Sequence, residues 1–442
     1  MQAAFHTFGC RLNQLETEAL ADAFRHARFT IVPLSGDALV YVINTCTVTS
    51  KSEQKARGVI RRLNREHPRA VVIVTGCYAQ MEVDLINSLG HNVFAVPLKE
   101  KDLIQDFALY LMNRPDEEGE ELLEDTRAWF RDNGRTNDEA EARFRFVPDD
   151  FTYHTRAYLK IQDGCDNSCA YCRVTLARGA SVSLALDKVI ERVKVLEEKG
   201  FAEVTLTGVN IDSYRSGETD LAGLLEVLLS NTSAIRFRLS SLDPDTFTPA
   251  LAKVVAHERV CPYFHLSVQS GSDRILQEMN RGYAALEVER AVELLRETKD
   301  NPFISADIIV GFPGEREENF TETLELMEKA RFARAHVFPY SPRPGTPAFG
   351  RKDAVQESII SERTGRLREM MTRCQNDYGL SWEGRELDVV WEKEEGDFLI
   401  GLSGNYLSCR KKAGKGAELG ECERVTAVKY GIVPGMMECD TQ

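Results

Sequence analysis

No stretch of the 442-residue sequence approaches the roughly eighteen consecutive apolar residues that a membrane-spanning helix needs. A helical membrane protein is therefore excluded. The amino-terminal segment MQAAFHTFGCRLNQ lacks both the basic start and the apolar run of a secretory signal, so a cytoplasmic protein without membrane partners is expected. Net positive charge is missing too: 69 acids outweigh 55 bases, giving −14. That sum hides its distribution. Residues 113–150 carry thirteen acids and six bases, and residues 375–442 carry thirteen and eight. These two segments account for −12 and leave −2 for the rest, so a local basic surface is not excluded.

Cysteine is abundant, with eleven residues. A reducing compartment disfavours disulfides, and an odd number leaves one thiol over in any full pairing. Grouped cysteines are better read as metal ligands or catalytic groups.

The length predicts about two to four domains. In residues 1–112, AAFHTF, ALVYVIN and AVVIVTG read as buried strands separated by helices, which predicts a small parallel α/β domain. Residues 113–150 are acidic and weakly patterned and read as a linker or insertion, with Trp129, Phe130, Phe144 and Phe146 able to dock it. Over 151–374 the strand candidates are AYLKIQ, AEVTLTG, IRFRLSS, YFHLSVQ, FISADIIVG and RAHVFPY. Helical spacing fills the gaps, as at Val189, Val193 and Leu196 and at Phe320, Leu324 and Met327. Six β/α units predict a partial barrel with function at the carboxyl ends of its strands, a doubly wound open sheet being the rival. Residues 352–374 read as helical. Residues 375–442, with ELDVVWEK, FLIGLSGNYLSCRK and ERVTAVKYGIV, read as a small all-β module.

The strongest local signal is Gly164-Cys165-Asp-Asn-Ser-Cys169-Ala-Tyr-Cys172, a CxxxCxxC just after the first barrel strand. Thiolates are soft ligands and suit zinc or iron–sulfur clusters. Structural zinc usually takes four protein ligands. The nearest extra candidate, His154, lies eleven residues upstream. Three cysteines on a four-iron cluster leave one iron free for a substrate or cofactor. Cys10, Cys46 and Cys77 form a second set, one beyond each amino-terminal strand. Any one of them alone reads as a core thiol. Together at the carboxyl edge of a parallel sheet they read as one site.

The CxxxCxxC opening a six-unit β/α domain resembles the radical S-adenosylmethionine superfamily. Thr7-Phe8-Gly9-Cys10, Asn13, the TEAL of 17–20, Asn44-Thr45-Cys46-Thr47-Val48-Thr49 and Thr75-Gly76-Cys77 are similar to the amino-terminal domain of its methylthiotransferases. The resemblance implies two [4Fe–4S] clusters. Cys165, Cys169 and Cys172 would hold the one that binds and cleaves S-adenosylmethionine to a 5′-deoxyadenosyl radical. Cys10, Cys46 and Cys77 would hold the one that presents sulfur. INTCTVTSKSEQKAR, VTGCYAQ and LTGVNIDSY look most like the branch that methylthiolates C2 of N6-threonylcarbamoyladenosine beside the tRNA anticodon. The implied partners are tRNA, an electron donor and a sulfur source. Alternatives are the branch acting on isopentenyladenosine, then relatives that modify a ribosomal-protein aspartate. A non-catalytic, metal-stabilised RNA-binding or redox module is the reading from another class.

Thr207-Gly208-Val209-Asn210, Ser240-Ser241, Gln269-Ser270-Gly271, and Asp307 with Gly311-Phe312-Pro313-Gly314-Glu315 end the barrel strands. Gly208, Asn210, Ser241, Gln269 and Asp307 are the candidate S-adenosylmethionine pocket, ordinary turn chemistry being the rival reading for each segment. Lys51, Lys55, Arg57, Arg61, Arg62, Arg65 and Arg69 form a basic run after Cys46, either a solvated helix face or a phosphate-binding one. The carboxyl-terminal module resembles a TRAM domain, an RNA-binding barrel in related enzymes. Here it is acidic apart from Arg410, Lys411, Lys412 and Lys415. Thr175 stands where many relatives carry proline, which relaxes a backbone restraint beside the cluster loop.

Overall fold

A computed structural model describes residues 1–114, 118–134, 140–151, 155–414 and 419–440; His154 and Lys415 lie outside them. The amino-terminal sheet has five parallel strands in the order Thr30–Val32, Gln2–Thr7, Val40–Thr45, Val71–Gly76, Val93–Ala95. The two inner apolar runs are buried along their whole length, as both-face coverage demands. Strand alternation sends Val40, Val42, Val71 and Ile73 to one core with Phe24 and Phe107. Tyr41, Ile43, Val72 and Val74 go to the opposite core with Ile60 and Leu63. The three-residue strands at 30–32 and 93–95 escaped the sequence reading because they are too short to show a period. Strand order reverses around Gln2–Thr7, which opens a crevice at its carboxyl end, where ligands of such sheets bind.

The segment 113–150, read as a linker, carries the helix Gly119–Asn133. Its Leu122 and Leu123 enter the amino-terminal core, and Trp129 and Phe130 pack on Phe107 with ring centroids 5.1 and 5.0 Å away. The dense acids sit on its outer face and masked the apolar spacing in the sequence.

Six parallel strands then run in chain order. Ala157–Lys160, Glu203–Thr207 and Arg236–Leu239 form one sheet. Ser241–Leu242, Tyr263–Gln269, Phe303–Val310 and Arg334–Pro339 form the next. The stretch 236–242 is shared, broken at Ser240, and joins the sheets into an open barrel. Sequential order without reversal rules out the doubly wound alternative. Val189, Val193, Phe320 and Met327 are buried in the continuous core beneath the strands.

The helix Glu357–Leu380 leads into a closed five-stranded barrel of Glu386–Glu395, Phe398–Ser403, Ser408–Lys412, Met436–Asp440 and Cys422–Tyr430, in that spatial order. Its core includes Tyr263 and Phe303 of the central barrel. Arg238 fastens the two. It pairs with Glu203 at 2.6 Å and donates to the carbonyls of Ser403 and Gly404 at 3.2 and 3.1 Å. Arg156 adds a bond to Glu392 at 2.6 Å. Among the described residues no helix is long and apolar enough to cross a membrane.

Candidate functional site

Cys10 caps the helix Arg11–His26, Cys46 follows Val40–Thr45, and Cys77 opens the short helix Cys77–Met81. Backbone chemistry draws the three loops together. Gly9 has φ +104°, and a Cβ there would lie 2.7 Å from Cys46 Cβ and 2.9 Å from its Sγ. Gly76 has φ +96°, and its Cβ would collide with the Thr45 carbonyl oxygen. Asn13 Nδ2 donates to the carbonyls of Phe8 and Thr45 at 2.9 and 3.1 Å, and Asn44 Nδ2 returns a bond to Asn13 O at 2.9 Å. All three cysteines line one cavity of about 1160 Å³.

Cys165, Cys169 and Cys172 sit outside that lining. Val174, two residues further on, lies in it. The amides of Asn167 and Val174 donate to the sulfurs of Cys165 and Cys172, both at 3.4 Å. Arg281 donates to Cys169 Sγ at 3.2 Å and is itself anchored by Asp243. Burial raises the Cys165 thiol, and the nearby Asn210 side chain partly offsets that rise.

Burial pushes the Cys46 thiol up to about 12 and Cys172 to about 11. Such thiols become thiolates at neutral pH when a metal supplies the compensating charge. A single tetrahedral zinc with bonds of about 2.3 Å would bring its sulfurs to about 3.8 Å of one another. Among the described residues, the triads whose ligand atoms all lie within 4.8 Å are His265–Asp307–His336 and Asp22–His26–Asp149. Neither cysteine set is such a compact triad. Three soft thiol donors in each set fit iron–sulfur clusters.

Behind Cys77 lies a buried charge network. Arg178, six residues past Cys172, donates from Nε to Cys77 Sγ at 3.2 Å, and to Asp163, Glu16 and Asn13 at 3.0–3.2 Å. Lys101 and Lys160 also pair with Glu16, and Lys160 with Asp163. Three cations face two carboxylates, so a thiolate at Cys77 balances the set. Burial raises the Cys77 thiol and Arg178 pulls it back.

The far wall of the cavity belongs to the barrel and the carboxyl-terminal module. Gly208, Ser241 and Asp307 line it; Asn210 and Gln269 do not. Gly208 is glycine because a Cβ would sit 2.8 Å from Gln162 Oε1. Gln269 is buried at φ +67°, at the end of a strand with a register shift. Gly271 is pressed against the helix Glu317–Lys329, and Glu315 accepts from Gly311 N and pairs with Arg363 at 2.7 Å. Those two contacts are structural.

The sequence reading missed several wall residues. His265 Nε2 lies 3.1 Å from Asp307 Oδ1, and its ring stacks on His336 at 5.4 Å. Burial lowers the His336 pKa, favouring the neutral ring. Each histidine follows and precedes apolar residues in its strand, the one signal that could have marked it. Arg11 and Tyr406 meet across the cavity and had no such signal.

The Radical SAM superfamily model matches residues 159–327, and the model described as Uncharacterized protein family UPF0004 matches residues 2–96. The chain is 38% identical to Threonylcarbamoyladenosine tRNA methylthiotransferase MtaB of Treponema pallidum (strain Nichols), covering 97% of this chain and 98% of the relative. It is 35% identical to the protein of the same name from Aquifex aeolicus (strain VF5), covering 96% and 100%. A tRNA-2-methylthio-N(6)-dimethylallyladenosine synthase of Anaplasma phagocytophilum (strain HZ) is 32% identical, covering 87% and 85%. Among solved structures, the radical S-adenosylmethionine methyltransferase TsrM from Kitasatospora setae superposes with a TM-score of 0.51 at 15% identity, covering 79% of this chain and 77% of that one, a likeness of fold. With relatives this similar along nearly its entire length, the chain belongs to the radical S-adenosylmethionine methylthiotransferase family, whose cofactors are [4Fe–4S] clusters and S-adenosylmethionine.

Proposed function

We propose that this enzyme places a methylthio group on C2 of N6-threonylcarbamoyladenosine beside the anticodon of tRNA. One observation carries the reading: Cys10, Cys46 and Cys77 converge on a cavity whose opposite wall is the mouth of the radical barrel. When bound, the clusters and S-adenosylmethionine supply the 5′-deoxyadenosyl radical, the sulfur and its methyl group. Cys165, Cys169 and Cys172 hold the radical cluster, and Cys10, Cys46 and Cys77 hold the sulfur-bearing one.

The protein's own part is to hold, orient and exclude water. Arg281 and the amides of Asn167 and Val174 neutralise the sulfurs of the radical loop. Arg178 does the same for Cys77. Gly208, Ser241 and Asp307 line the room for S-adenosylmethionine and the base, with Asn210 and Gln269 at its margin. Neutral His336 offers hydrogen bonds to a base edge without adding charge, and His265 stacks beside it against Asp307.

The domain division 1–112, 113–150, 151–374 and 375–442 assigns sulfur presentation, connection, radical generation and RNA contact in turn. The helix Ser50–Glu66 starts at the cavity, where Val48, Thr49 and Ser52 line the wall. Its exposed Lys51, Lys55, Arg61, Arg62 and Arg65 suit tRNA phosphates. Arg410 and Lys411 of the small barrel are engaged by Glu438 and Glu423, so that module grips RNA weakly by charge. A cytoplasmic reductant and a separate sulfur source complete the cycle.

Mass-spectrometric nucleoside analysis of tRNA from cells lacking the protein tests the reading. Loss of the methylthio mark from threonylcarbamoyladenosine is expected. Loss confined to isopentenyladenosine would overturn the substrate assignment.

A further inference from the structure

Four arginines and lysines line the cavity: Arg11, Arg156, Arg178 and Lys393. Three are neutralised by the chain's own carboxylates. Arg156 pairs with Glu203 and Glu392, Arg178 with Glu16 and Asp163, and Lys393 with Glu395. Arg11 pairs with no carboxylate among the described residues. Its Nη2 donates to the Tyr406 hydroxyl at 3.0 Å. Its guanidinium lies 5.6 and 5.5 Å from the ring centroids of Tyr263 and Tyr406, which stack on each other at 4.2 Å. Aromatic faces stabilise a desolvated cation and fix its plane, but they leave its net charge and most of its five N–H donors unspent.

Position gives this free charge a purpose. Arg11 directly follows Cys10, a ligand of the sulfur-bearing set. On adenine, C2 and C6 flank the same ring nitrogen. A base with C2 turned toward that set therefore carries its N6 substituent along the same side of the cavity. The substituent of threonylcarbamoyladenosine ends in a carboxylate, which a planar guanidinium binds through two parallel hydrogen bonds. A dimethylallyl substituent is pure hydrocarbon and would strand the cation desolvated and unpaired.

We propose that Arg11, held by Tyr406 and Tyr263, is the binding subsite for the carboxylate of the substrate's N6 substituent and sets the choice between acidic and hydrocarbon substituents. The inference rests on the substrate reading above. Its chemistry could also be met by an RNA backbone phosphate, which the test separates.

The test uses reconstituted enzyme and two anticodon stem–loops, one carrying threonylcarbamoyladenosine and one its carboxyl methyl ester. The wild-type enzyme is expected to favour the acid on the order of ten- to a hundredfold in kcat/KM, mostly through KM. Arg11→Gln should turn over both RNAs alike, and Arg11→Lys should keep part of the preference. Tyr406→Phe keeps the cation and loses its orienting bond, so a smaller loss confined to the acid is expected even if Arg11→Gln is unstable. A preference for the acid that survives in Arg11→Gln overturns the inference. So does an equal loss on acid and ester, which is the signature of a phosphate contact. If the wild-type enzyme methylthiolates neither RNA, the substrate reading itself fails, and the inference falls with it.

Discussion

Arg178 Nε donates to Cys77 Sγ at 3.2 Å, so an arginine at the end of the helix after the CxxxCxxC grips a cysteine of the amino-terminal set. The guanidinium is buried, with Glu16, Asp163 and Asn13 as its other partners. Arg178→Met is expected to cost about 3–5 kcal/mol, because it leaves buried carboxylates short of a cation. It should also lower iron from about eight to about four per chain while 5′-deoxyadenosine is still formed. Thermal melts and iron analysis of the reconstituted variant check both. Retained full iron would show that the balance of charge around Cys77 is unimportant.

The two cysteine sets should separate functionally. Cys169→Ala is expected to abolish 5′-deoxyadenosine formation, whereas Cys46→Ala should preserve it and abolish methylthio transfer. Chromatographic detection of deoxyadenosine beside nucleoside mass spectrometry distinguishes the outcomes. Deoxyadenosine formed by Cys169→Ala would remove that residue from the radical centre.

Gly76 combines φ +96° with a Cβ position already occupied by the Thr45 carbonyl. Gly76→Ala is expected to cost well over about 1 kcal/mol, since both conformation and space oppose it. The measurable result is a lower denaturant midpoint together with iron loss from the amino-terminal set. A midpoint equal to wild type would mean that the turn relaxes freely.

Glu203 supplies a pH test. Arg238 and Arg156 hold its carboxyl well below the ordinary value of 4.5, outweighing burial. A depressed acid stabilises the fold above its unfolded pKa, and that stabilisation is lost as pH falls through the folded value. Stability of the central barrel should therefore fall progressively below about pH 4.5. Glu203→Gln should remove that slope and lower the melting temperature at neutral pH. Melting temperature measured against pH decides; an unchanged acid slope in the variant would assign the loss to other carboxylates.

Metal uptake should release protons. The Cys46 and Cys172 thiols, raised to about 12 and 11, are protonated at pH 7 and must ionise to bind iron. Cluster assembly should tighten as pH rises, with proton release visible by calorimetry in buffers of different ionisation enthalpy. Buffer-independent heats would contradict protonated apo thiols.

The sequence made the architecture legible wherever burial leaves a period. The runs VYVINT and VVIVTG announce strands covered on both faces, and Val189 and Val193 announce a helix on a core. The helix Gly119–Asn133 was obscured because its acids outnumber its few apolar contacts. At the site, the cysteines declared themselves by type and by their place after strands. Arg178, Arg11 and Tyr406 did not, because their meaning is tertiary: Arg11 and Tyr406 are 395 residues apart and meet only after the small barrel docks. The GFPGE segment shows the converse. It looked like ligand chemistry, yet Glu315 is consumed by Arg363.

The network around Cys77 also bears on how the enzyme matures. Glu16 and Lys101 come from the amino-terminal domain, while Lys160, Asp163 and Arg178 come from the barrel. A severed amino-terminal half would thus carry its three thiols but only part of their electrostatic cradle. Iron insertion at that cysteine set is consequently expected to depend on the joined polypeptide. A split version of this protein is then expected to fill the set only once its halves have reassembled.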